Sequence, residues 1–440
     1  MLQLAWALAV FWLLVLLRRC PGALLRPSVW VTTAFLAQIG TAAAFAAIDE
    51  SPLADETALR AWAVFLPVAV LVWVTLTPVT TARAASLYAR CRAVNRQIHW
   101  AIDRPERRLI VGGGVFVSLV LASLLATVPL SETGIYAVFF EPELAEVARE
   151  ETFKLLDSHW LKKGLTFSGD LVAPLVAVGV LLLRMPAAWG ILVKPAVIGA
   201  LLITSAPHGA RSPVAMALLT LGISYLLRRG VRTGGVVLAA SAVTALALAV
   251  ILTVARIGEL GSADSSRVRV IADAVFARAV VAPFETGVWT EAYVRSYGRT
   301  GFDSIGFPLR NRLGFGYVPL PNRVAAFRNP SGLDSEWMNT AWLFDYQASF
   351  GLPVGFALAL ISVMALDLLM RAFTRLRGPV LIMLLAVFYR NLLDFVSSAF
   401  TSVLFSGCVG AVVLAWFCSR AFGRQMVARA AEQPAVAVVR

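Results

Sequence analysis

The run LQLAWALAVFWLLVLL, Leu2 to Leu17, decides the fold class. It carries no charge and is closed at once by Arg18 and Arg19. As an α-helix it approaches the roughly 30 Å of a bilayer's hydrocarbon core, where only backbones with internally closed hydrogen bonds are tolerated. No basic residue precedes it and no small-residue cleavage site follows. It therefore reads as a retained transmembrane helix and not as a removable signal peptide.

Runs of the same kind recur along the chain. Its 440 residues are 59% hydrophobic and 15% charged, with a mean hydropathy of +0.77, outside the range of water-soluble domains. A transmembrane β-barrel would show segments of about ten residues with alternating polarity, and these runs do not alternate. The expected fold is all-α, a polytopic membrane helix bundle of about 11 transmembrane helices. They fall near residues 2–17, 28–48, 60–80, 109–129, 169–184, 187–204, 212–227, 234–254, 352–370, 378–393 and 398–418.

Charge sets the expected orientation. The connections RRCPGALLR, ARAASLYARCRAVNRQIHWAIDRPERR, RRGVR and RAFTRLR, with the C-terminal SRAFGRQMVAR, all fall on one side, which the positive-inside bias makes cytoplasmic. The acidic DESPLADE and EPELAEVAREE fall on the other. The expected organisation is then N-terminal helices over 1–130, a first long extracytoplasmic loop over 131–168, and central helices over 169–254. A large extracytoplasmic loop over 255–351, C-terminal helices over 352–420 and a cytoplasmic tail over 421–440 complete it. Much of the net charge of +13 sits in the short cytoplasmic loops, so nucleic acid is not an expected partner. The four cysteines, Cys20, Cys91, Cys408 and Cys418, form no CxxC and no zinc spacing.

The first long loop has an amphipathic stretch, ELAEVAREETFKLLDSHWLKK, suited to lying along the membrane surface. The second is rich in aromatics, Trp289, Tyr293 and Tyr297 among them, which argues for order and not for a solvated linker. DSEWMNTAWLFDYQASFG, at its end, reads as a capped surface helix leading into the next span.

Candidate functional residues gather in this loop and in the turn ITSAPHGARSPVAM, 203–216. The loop carries ten arginines and no lysine, in a chain with 35 arginines and four lysines. A planar guanidinium fork matches phosphate oxygens, although a loop arginine is ordinarily a solvated or structural charge. Arg211 stands at a boundary between apolar runs, where an ionisable group is a functional candidate by default. Arg278, Arg295, Arg310, Arg312 and Arg323 are the candidates within the loop, with Asn339 near its end. A general base is open between His208 and a loop carboxylate, with Glu285 and Asp345 singled out from a set that includes Glu291. Trp289 and Tyr293 are candidates for stacking on sugar faces, though packing is the commoner use of such rings. Arg390 and Asp394, four apart, read as a structural ion pair. There is no DxD, no metal-ligand spacing, no P-loop and no GxSxG, so neither a metal nor a cofactor is expected.

The motifs SAPHGARSPVAMALL, VFARAVVAPFETGVWTEAYVRSYG and MNTAWLFDYQASFGLPVGF make residues 195–420 resemble the Wzy-type oligosaccharide repeat-unit polymerases, of the O-antigen polymerase/ligase superfamily. The resemblance implies a metal-independent glycosyltransferase of the bacterial inner membrane, working on its extracytoplasmic face. It would transfer a growing glycan from undecaprenyl pyrophosphate to a lipid-linked acceptor repeat unit. The implied partners are undecaprenyl-pyrophosphate-linked oligosaccharides, membrane lipid and a chain-length regulator. Arg211 and Arg278 match positions where related enzymes place pyrophosphate-binding arginines. O-antigen ligases carry a catalytic histidine in the large loop, and this loop has none. A ligase and a lipid-linked oligosaccharide flippase are the competing expectations.

Overall fold

The computed structural model describes residues 1–48, 51–94, 97–100, 104–141, 148, 152, 156, 159–204, 211–256, 280–301, 320–329, 342–394 and 408–432. Among these the chain is helical, with one isolated bridge between Ile98 and Leu183. In chain order the helices are α1 (Leu2–Arg19), α2 (Pro27–Phe45), α3 (Thr57–Leu76), α4 (Pro78–Ala93), α5 (Arg104–Thr127) and α6 (Gly134–Phe140). There follow α7 (Trp160–Leu182), α8 (Ala187–Thr204), α9 (Arg211–Arg229), α10 (Val231–Arg256) and α11 (Ala282–Tyr297). The last are α12 (Leu320–Arg328), α13 (Trp342–Phe350), α14 (Leu352–Leu369), α15 (Gly378–Leu393) and α16 (Val409–Glu432).

Among the described residues six helices, α1, α2, α3, α5, α7 and α14, are long and apolar enough to cross a membrane. Shorter apolar stretches lie in α8, α10, α15 and α16. The protein is a helical membrane protein. Two of its spans, α2 and α7, contain a π-helical turn, at Leu36–Gly40 and Ser168–Val172. The α7 helix starts at the end of the first long connection, well before the expected boundary near 169. Trp160 to Phe167 continue the span because Leu161 and Leu165 pack with Leu124 and Val128 at the end of α5. The arginine-rich connection after α3 also differs from a simple loop, since its first half is the helix α4.

The described chain forms two compact units. The first comprises Met1–Leu87, Ala272–Arg371 and Asn391–Phe405. In it α2, α3 and α14 pack together, and α13 folds back on α14 as a helical hairpin. The reversal falls on Gly351, with φ 84° and ψ 169°, a region open essentially to glycine alone. A Cβ on Gly355 would stand 2.6 Å from the Gln347 amide nitrogen, so the two helices meet backbone against backbone. Proline in the first turn of α2, α11 and α14 costs no hydrogen bond there and pre-sets the helical φ.

Helix α13 is where a surface helix was expected, and every residue from Trp342 to Ser349 is buried. The physical reason is tertiary: Trp342, Leu343, Phe344 and Tyr346 pack inward, and polar groups among them find partners, Gln347 donating to Glu291 and Tyr346 bonding Ser362. Trp342 packs edge-on against Phe35 at 5.2 Å, and Phe344 against Phe284 at 6.2 Å. The Phe344 ring also covers Gly287, where a Cβ would come within 2.4 Å of it, and this fixes α11 against α13.

The second unit comprises Tyr88–Ile271, Ala372–Arg390 and Ser406–Arg440. Its α9 and α10 form an antiparallel hairpin closed at Gly230, with φ 86°. Small residues let their backbones approach, a Cβ on Gly234 falling 2.3 Å from Leu226 Cα. Helix α15 is buried on all faces from Val380 to Tyr389, which suits a sequence apolar all round.

Candidate functional site

In the first unit, the end of α2 and the start of α3 are held by Arg60, one turn into α3. Its Nη1 donates to the Ala43 carbonyl at 2.8 Å and its Nη2 to the Ala46 carbonyl at 2.9 Å, closing carbonyls that the end of α2 leaves open. Its Nε donates to Glu56 at 2.6 Å, and the guanidinium lies 5.3 Å from the centre of the Phe284 ring. Arg60 therefore anchors α11 to this end of the unit.

Helix α11 divides into faces by its spacing. Phe284, Val288 and Ala292 are buried. Glu285, Trp289, Tyr293 and Tyr297, each four residues on, form a stripe along an adjacent face, as the helical repeat dictates. The stripe meets α12. Arg328 Nη2 lies 2.8 Å from Glu285 Oε1, and its guanidinium stands 5.6 Å from the centre of the Trp289 ring. Phe327 sits edge-on to Trp289, Tyr293 and Tyr297 at 6.1, 5.8 and 5.8 Å. Trp289 and Tyr293 also pack on Leu320, Val324, Ala325 and Ala348, so both rings are partly spent on packing. Tyr297 is 70% exposed and is the ring open to a ligand.

Beside this stripe Glu291 accepts from Arg295 at 3.0 Å and from the Gln347 side-chain amide of α13. Gln347 is buried, and its Oε1 has no donor among the described residues. Asp345 is 5% exposed on α13. Its neighbour Tyr346 shares a hydrogen bond of 2.9 Å with Ser362, and burial pushes the phenol pKa up, keeping it neutral. Carboxylate, guanidinium and aromatic face thus lie within one helix-on-helix contact. Together they can bond hydroxyls and stack against an apolar sugar face.

Of the residues chosen from sequence, Glu285, Trp289 and Tyr293 come together on the stripe. Arg295 is exposed and paired with Glu291, Arg323 lies half-buried on α12, and Asp345 is buried in α13. Arg211 is the first residue of α9, and its side chain falls outside the described set. His208, Arg278, Arg310, Arg312 and Asn339 lie outside the described residues. Arg328, Phe327 and Gln347 were not singled out. The stripe itself was legible, because 285, 289, 293 and 297 stand at steps of four in the sequence.

Two further ionic contacts involve buried arginines. In the first unit Arg26 donates from Nε to Asp367 at 2.6 Å and from Nη1 to the Val74 carbonyl at 3.1 Å. Asp367 also accepts from the Ser28 amide at 2.9 Å and its hydroxyl at 3.0 Å. In the second unit Arg390 reaches the Asp170 carbonyl at 3.2 Å and its carboxylate at 3.3 Å, at the π turn of α7. Among the described residues no group of three or more His, Cys, Asp or Glu could hold a metal. Compared with family models, curated proteins and solved structures, the chain matches none.

Proposed function

We propose that the protein polymerises lipid-linked oligosaccharide repeat units of a bacterial surface polysaccharide. In this reading it is a metal-independent glycosyltransferase of about eleven spans, moving a growing glycan from a polyprenyl pyrophosphate to a lipid-linked acceptor. The large segment between α10 and α14 faces outward. The observation that carries the reading is the stripe of α11 against α12, where Glu285, Arg328 and the rings of Trp289, Tyr293, Tyr297 and Phe327 meet. Sugars are recognised by that combination, aromatic planes for their C–H faces and charged forks for their hydroxyls.

The departing diphosphate needs fixed positive charge in a site of low dielectric, the role given to Arg211 and Arg278. Acceptor activation falls to His208 or to a carboxylate, Glu285 or Asp345. A transporter is the second reading, favoured by one observation: Arg26 and Asp367 form an ion pair buried within apolar helices.

Deletion of the gene and display of the surface polysaccharide on a gel separates these readings. Loss of a polymerase leaves single repeat units, loss of a ligase leaves untransferred lipid-linked polymer, and loss of a flippase traps precursors inside the cell. Reintroduced Arg211→Ala or Arg278→Ala is expected to leave the single-unit band although the protein is made. A full ladder from both variants would end the site assignment.

A further inference from the structure

Among its described residues the second unit gathers arginines that make no pair with a carboxylate. The C-terminal half of α4 lies between two chain reversals. On one side Arg90 Nη1 donates to the Thr374 carbonyl at 2.7 Å, which brings it to the 374–377 turn and its Arg377. On the other, the Tyr88 hydroxyl accepts from the Val231 amide at 2.9 Å. A Cβ on Gly230 would stand 3.3 Å from Arg92 Cζ, so this guanidinium rests on the α9–α10 turn next to Arg228 and Arg229.

Neither α4 nor the α9–α10 pair supplies a compensating acid, and the acid nearest the 374–377 turn in sequence, Asp367 of α14, is paired with Arg26 in the first unit. No Asp or Glu occurs in 78–102, 211–256 or 368–393. Arg90, Arg92, Arg228, Arg229 and Arg377 make no ion pair among the described residues. Arg90 and Arg228 are half-buried, and the Nε of each is buried without an acceptor among the described residues. Burial first, and the Arg377 charge second, hold the Arg90 guanidinium below its ordinary pKa. Like charges crowded at partly desolvated positions call for an anion.

We propose that this cradle, formed by α4, the α9–α10 turn and the 374–377 turn, binds the phosphodiester headgroup of an anionic phospholipid. The position selects lipid over a soluble phosphate. Arg228 and Arg229 end the helix α9, and Arg377 directly precedes the apolar α15, so the guanidiniums stand where apolar helices stop. Arginine stems lie along such helix ends and carry their heads to headgroup level, and basic clusters there attract anionic lipid. The arginine bias of these same connections makes that leaflet the cytoplasmic one. The site is independent of the glycan stripe on the first unit.

Thermal unfolding of the purified full-length protein in detergent tests it. Phosphatidylglycerol is expected to raise the midpoint, because a ligand bound only by the native state stabilises it. Phosphatidylcholine with the same chains, and inorganic phosphate at the same concentration, are expected to leave it in place. Arg90→Gln/Arg377→Gln is expected to lose about half of the phosphatidylglycerol shift or more. If that pair does not fold, Arg92→Gln/Arg229→Gln, both exposed and without a side-chain hydrogen bond among the described residues, gives the same reading. Equal shifts with the zwitterionic lipid, an equal shift with phosphate, or a full shift in the variants would each overturn the proposal.

Discussion

Asp367 accepts three hydrogen bonds, two from Ser28 and one from Arg26, at a point where the chain is uncharged for a dozen residues on its N-terminal side. A buried pair of this kind adds little against a hydrophobic substitute, whereas removing one partner strands a charge. Asp367→Asn is therefore expected to destabilise the protein by roughly 3–5 kcal/mol, and Arg26→Met/Asp367→Leu by clearly less. Thermal unfolding midpoints decide it, and equal losses in the two variants would show the pair itself to be stabilising. Cys91 gives a second test at this scale. Burial pushes its thiol up to about 12, while an unfolded cysteine titrates near 8.5. The native chain holds a proton that the unfolded chain releases, so this group's contribution to stability falls as pH rises from about 9 toward 12. Maleimide at pH 8 is expected to label the half-exposed Cys20 and to reach the buried Cys91, Cys408 and Cys418 only after unfolding. Labelling of Cys91 in the folded protein would contradict its burial.

At the scale of elements, the apolar helices and the helix ahead of α14 were legible from periodicity and length. What α13 packs against was not. Its burial depends on Gly287 and Gly355, residues 68 positions apart whose missing side chains admit Phe344 and the Gln347 backbone. Sequence pattern reports which residues are apolar, and Asp345, Gln347 and Ser349 give α13 the pattern of a surface helix although all three are buried by its neighbours. The same holds for the stripe of α11: its spacing was visible, but its partner α12 is set by tertiary contact. Gly355→Val is expected to drive α13 from α14 and abolish accumulation of folded protein. Gly351→Ala, which strains the reversal at φ 84° and displaces the Arg299 side chain that its Cβ would meet, is expected to cost about 1–3 kcal/mol. Protein recovered from membranes and its unfolding midpoint separate the two. Tyr297→Ala removes an exposed ring and is expected to leave the midpoint in place while shortening the polysaccharide ladder. A normal ladder would take the ring out of glycan binding.

At the scale of the whole molecule, the orientation rests on charge and on nothing local. Arginine is dense in 81–108, 228–232 and 371–377, and Asp and Glu are dense in 49–56. The membrane potential and the anionic inner leaflet act on these loops as each is inserted, so the loops act together to set one topology. A single neutralised loop is then outvoted by the others. In a cysteine-free background, a cysteine placed at Ala54 is expected to react with an impermeant maleimide on intact cells. One placed at Thr233 is expected to react only after the cells are opened. Both sites are exposed, so access to the reagent and not burial governs the result. Replacing Arg228, Arg229 and Arg232 together with glutamine is expected to leave this pattern unchanged, because the 81–108 and 371–377 arginines still hold the same side. The reversed pattern in the starting protein would place the α11 stripe in the cytoplasm, away from any glycan exported for polymerisation, and the proposed reaction would fall with it.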